Sequence, residues 1–161
     1  MGYTHYWKQE GWNKKDVDGW KAALPTIQEI IKKHSNIIEC DDGMGTPPVA
    51  DDRTINFNGI GDDSYETFSI NSEGSSFKFC KTARRPYDQA VCEVLLVLSA
   101  FCPNFKFTSD GIGRDLDGTW PDAMEAVKEY GIVAEAQKMV ELDESNGEYL
   151  TIVASREHEE A

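Results

Sequence analysis

With 161 residues, 40% of them hydrophobic, 28% charged and 11% aromatic, the chain has the length and composition of a single folded domain rather than a disordered segment. Its 29 acidic against 16 basic side chains give a net charge of −13. That charge excludes long polyanions and anionic membranes as partners wherever no basic patch overrides it, but does not exclude a small anion in a local basic site. No apolar run reaches the length of a membrane span, and the opening MGYTHYWKQEGW lacks the basic and apolar regions of a secretory signal. A myristoylation signal fails at Tyr6, so the protein is expected in the cytoplasm.

The elements follow in order. Tyr3 to Lys8, aromatic and β-branched, predicts a strand with Tyr3, His5 and Trp7 on one face and Thr4, Tyr6 and Lys8 on the other. Apolar residues from Val17 to Ile31 recur at three and four, predicting an amphipathic helix over 14–34, capped by Asn13 or Asp16 and kinked or split at Pro25. Ile37 to Cys40 reads as a short strand, and Asp41 to Asp52 as an acidic loop that lacks the spacing of an EF-hand. Arg53 to Ile60, Tyr65 to Ile70 and Phe77 to Lys81 read as three strands of a meander, separated by polar turns.

The stretch from Phe77 to Cys102 is the most informative: a strand, a cationic turn with Lys81, Arg84 and Arg85, and a helix entered at Pro86 that is apolar nearly all round. A helix N-terminus beside three cations favours a bound anion. Beyond it come a strand over 105–109 and a Gly-rich loop over 110–118, which falls short of a phosphate-loop pattern. A short helix capped by Thr119 runs to Tyr130, and a terminal hairpin over 132–155 follows, with helix as the alternative for 134–142. The reading is therefore α+β: a mostly antiparallel sheet packed on two or three helices, one domain over 1–155, and a charged tail over 156–161. Cys40, Cys80, Cys92 and Cys102 form no CxxC pair, which argues against a zinc knuckle, and Cys92 and Cys102 read as packing residues. Neither a metal nor a cofactor is expected.

The phrases GYTHYW, INFNGIGDDSYETF, FCKTARRPYDQAV and FTSDG, in that order over about residues 1–111, resemble a family of small phage and bacterial proteins. The resemblance implies a phage or prophage origin and brings no activity or catalytic residues with it. By analogy with phage proteins that sequester nucleotide signals of bacterial immunity, the leading expectation is non-enzymatic binding of a small phosphorylated nucleotide, with a homo-oligomer enclosing it. Lys81, Thr82, Arg84 and Arg85 would hold phosphate. His5, Tyr6, Trp7 and Tyr87, with Tyr3, would stack on or flank a base, and Asn58, Glu66 and Asp88 would read hydroxyls or base edges. Two alternatives stand beside it: a phosphodiesterase or nucleotide hydrolase with His5 as general acid or base oriented by Asp88 or Glu66, and an acidic inhibitor of a host protein.

Overall fold

A computed structural model describes residues 3–40, 45–140 and 148–157. The fold is α+β, with antiparallel sheets and, among the described residues, three α-helices. Its centre is helix α2 (Asp88–Phe101), in which eleven of fourteen residues are buried, as an all-round apolar sequence requires. Helix α1 (Lys14–Lys33) packs across it through Trp20, Ala23, Ile27 and Ile30. At the contact, an added Cβ on Gly19 would fall 2.1 Å from the Phe101 carbonyl oxygen, so glycine sets how closely the two helices approach. Asn13 caps α1 in a capping box with Asp16. Of the two expectations at Pro25, a kink or a split, the split does not occur: the helix runs on through the proline, with buried residues on either side of it.

Strand β1 (Thr4–Lys8) lies in the middle of a three-stranded antiparallel sheet between β6 (Lys78–Lys81) and β7 (Lys106–Ser109). The expected meander is thus corrected. The strand after Ser76 does not pair with β5 (Phe68–Asn71) but crosses to β1, with Tyr6 opposite Phe79. Strand β4 (Thr54–Gly59) pairs with β5 as expected and also with β2 (Ile38–Glu39) and β3 (Val49–Ala50). The two-residue β3 falls inside the stretch read as loop, of which residues 41–44 lie outside the described residues. Helix α3 (Trp120–Ala126) continues as a 3-10 turn to Tyr130. The terminal hairpin forms as β8 (Ile132–Val140) and β9 (Glu148–Arg156), with most of its expected turn and the end of the tail outside the described residues. Among the described residues no helix is long and apolar enough to cross a membrane.

The alternation of β1 places Tyr3, His5 and Trp7 against the core and turns Tyr6 and Lys8 outward. The central sheet thus has a polar inner end around His5 and an outer face open to solvent.

Candidate functional site

The turn after β6 joins these two regions. Thr82 and Ala83 both donate their backbone N–H to the Tyr3 carbonyl, at 3.1 and 3.3 Å, and Ala83 and Arg84 adopt left-handed φ of 52° and 60°. Two successive non-glycine residues in that region cost about 1–2 kcal/mol each. The strained turn lays the Arg84 guanidinium over the Tyr3 ring at 4.1 Å and within 2.7 Å of the Asp117 carboxylate. It also delays α2, which begins at Asp88 rather than Pro86.

Inside the turn, Asp88 is 1% exposed and accepts hydrogen bonds from His5 Nε2 at 2.6 Å, from Thr82 Oγ1 at 2.5 Å and from Thr119 Oγ1. Thr119 therefore spends its hydroxyl on Asp88 and does not cap α3. The other ring nitrogen, His5 Nδ1, lies 2.7 Å from Ser109 Oγ. Burial opposes the ionisation of Asp88, but hydrogen bonds from His5, Thr119 and Thr82 outweigh it and hold the carboxyl below its usual range.

Ser109, His5 and Asp88 thus fall in line as in a hydrolytic triad. The proton inventory argues otherwise. Ser109 Oγ already accepts the Gly111 N–H at 3.0 Å and the Trp120 indole N–H at 2.9 Å, which fills both lone pairs. Its own proton then goes to His5 Nδ1, His5 donates Nε2–H to Asp88, and no lone pair is left for attack. His5 is fully buried, with Tyr3 and Trp120 edge-on to it at 5.2 and 5.4 Å.

Cys92 Sγ completes a buried His5, Asp88 and Cys92 group whose ligand atoms all lie within 4.8 Å of one another, a set that could hold a metal ion. A metal on His5 Nε2 would require the proton on Nδ1, forcing a third donor onto the saturated Ser109 oxygen. Burial first of all raises the Cys92 thiol well above its ordinary range, which opposes the thiolate a metal needs. The donor set fits a closed hydrogen-bond network better than a metal.

This geometry sorts the predicted residues. His5, Thr82 and Asp88 belong to the buried network. Trp7 packs edge-on to Phe68 at 5.2 Å, and Tyr87 donates its hydroxyl to the Glu66 carbonyl. Both rings are buried and closed to a base, which corrects their expected stacking role. Asn58 spends its amide on Tyr65 and Thr67 and its carbonyl on the Gly59 and Tyr65 N–H groups, so it is a turn anchor rather than a reader of hydroxyls. Arg84 is committed to Tyr3 and Asp117, and Glu66 accepts the Lys81 backbone N–H at 2.7 Å.

Tyr6, Lys81 and Arg85 remain, and they meet others that the sequence reading passed over. Tyr6 stacks on Phe77, with ring centroids 6.2 Å apart and planes 26° apart, and Phe77 lies 6.3 Å from Phe79. Phe79 on β6 and Phe77 just before it are 56% and 55% exposed, unusual for two phenylalanines side by side. Lys81 Nζ and the Arg85 guanidinium lie 5.7 and 6.0 Å from the Tyr65 ring centre at one end of this face. At the other end, Lys8 and Lys106 stand opposite each other on β1 and β7, both exposed. Asp110, at the rim, accepts from the Tyr6 hydroxyl at 3.1 Å and the Thr4 N–H at 3.0 Å. A comparison with known proteins finds no matching family model, no matching curated protein and no matching solved structure.

Proposed function

We propose that the protein binds a small phosphorylated nucleotide on the outer face of the β6-β1-β7 sheet and releases it unchanged. The observation that carries this reading is a row of aromatic rings, the half-buried Tyr6 beside the exposed Phe77 and Phe79, between clusters of cations in a chain of net charge −13. Bases stack on aromatic rings carried by antiparallel strands, at about 1–3 kcal/mol per base. Lys81 and Arg85 supply charge-assisted contacts to phosphate, and the Asp110 carboxylate accepts from a ribose hydroxyl or a base amine. Hydrolysis is disfavoured because the group with triad geometry is buried beneath the sheet with its serine oxygen saturated. In a phage or prophage setting, which the resemblance of the sequence implies, such a binder would withdraw a nucleotide signal from bacterial immunity.

The test is thermal unfolding with adenosine and guanosine mono-, di- and cyclic nucleotides and with inorganic phosphate, followed by chromatography of the recovered ligand. A nucleotide at 100 times its dissociation constant adds about 2.7 kcal/mol, or roughly 5–10 °C for a domain of this size. The reading predicts that Phe79→Ala, and Lys81→Glu with Arg85→Glu, remove this shift and leave the ligand-free midpoint near that of the parent. It is overturned if no nucleotide stabilises the protein, or if these variants respond as the parent does. Recovery of a cleaved nucleotide would convert the reading to an enzyme.

A further inference from the structure

The cations on the outer face form two groups, and their separation bears on the size of the ligand. Along β1, Thr4 stands opposite Lys81, Tyr6 opposite both Phe79 and Thr108, and Lys8 opposite Lys106. From Thr4 to Lys8 is four strand steps, about 13 Å at ~3.3 Å per residue. Lys81 and Arg85 therefore flank one end of the aromatic row, and Lys8 and Lys106 the other. At the Lys8 and Lys106 end a shallow depression of about 60 Å³ has Tyr6, Phe77 and Phe107 in its wall.

Resting on the nucleotide reading above, we infer that the face takes a dinucleotide unit: two bases on the aromatic row, the 5′-phosphate held by one cation group and the linking phosphate within reach of the other. A single base is joined to its phosphate through one sugar, so when seated on Tyr6 and Phe79 it delivers phosphate to one end only and leaves the opposite lysines without a partner anion. Two nucleotides connected through a phosphate span the row and meet both cation groups. Three rings at 6.2–6.3 Å spacing, carried by β1, by β6 and by the residue that precedes β6, offer more stacking surface than one base covers. The chain as a whole carries −13, which limits the attraction to this face, so further nucleotides gain no comparable contact.

The test is isothermal titration with 5′-phosphorylated adenylates of one, two and three residues at several salt concentrations. The dinucleotide is expected to bind at least tenfold tighter than the mononucleotide, and the third residue to add less than twofold. The salt slope should rise from about −0.7 to about −1.4 on going from one phosphate contact to two. Lys8→Ala with Lys106→Ala should lower the dinucleotide to within twofold of the mononucleotide measured on the same variant. Equal affinity for one and two residues overturns the dinucleotide inference and leaves the nucleotide site standing. Loss of the mononucleotide in the Lys8 and Lys106 variant places a single phosphate at that end and also overturns it. Failure of all three to bind overturns the nucleotide reading itself.

Discussion

Replacing Asp88 by Ala tests whether the buried line of Ser109, His5 and Asp88 is structural. The carboxylate is 1% exposed and accepts from His5, Thr82 and Thr119, so its removal leaves two buried donors and one half-buried donor without an acceptor. Each orphaned group costs about 1–3 kcal/mol, and breaking a buried pair by deleting one partner typically costs about 3–5 kcal/mol in all. Against a stability of about 5–15 kcal/mol for an ordinary domain, that is a large fraction. Urea unfolding of Asp88→Ala, His5→Ala and the double variant would measure it. The account predicts that each single change destabilises by about 3–5 kcal/mol and that the double costs well under the sum, since both remove the same bond. A loss under 1 kcal/mol in both single variants would refute the structural reading and return the group to candidate catalytic status.

Acid should weaken the fold through the same residue. Asp88 titrates below its unfolded value of about 3.9, so its contribution is present above about pH 4 and is lost as the pH falls through its folded value. A stability profile that stays flat from pH 5 to pH 2 would contradict this. Gly111→Ala would place a Cβ 2.2 Å from the Tyr3 hydroxyl and 2.8 Å from Trp120 Cδ1, and should cost about 1–3 kcal/mol in urea unfolding. Ala83→Gly relieves a φ of 52° and should change stability by no more than about 1 kcal/mol, in the stabilising direction. A clear destabilisation there would mean that the Ala83 side chain contributes packing.

Much of the fold could be read from periodicity. The β1 alternation, the α1 stripe and the all-round apolar α2 each bury the faces their spacing dictates. Strand partners could not, because a local pattern says that Phe77 to Lys81 is extended but not that β1, some seventy residues away, takes it instead of β5. The cationic turn was visible, yet which cations face solvent was not. Arg84 is held by an aspartate thirty-three positions later, and Arg85, the next residue, lies instead beside the Tyr65 ring. Trp7, Tyr87 and Asn58 are suitable residue types for a ligand site, but each is absorbed by a tertiary contact that no local spacing records. Phe77 and Phe79 read as ordinary alternating strand residues. Their significance lies in the face they occupy, which nothing among the described residues covers, and parity could have marked it: Phe79 stands opposite Tyr6, and Phe77 is two residues from Phe79.

The central claim is the location of nucleotide binding, which amide and side-chain NMR shift mapping during titration with a 5′-phosphorylated diadenylate tests most directly. The account predicts that the largest perturbations fall on Tyr6, Phe77, Phe79, Lys81 and Arg85, with His5, Asn58 and Tyr87 little changed. Perturbations centred on His5, Asp88 and Ser109, or on the turn around Asn58, would contradict it.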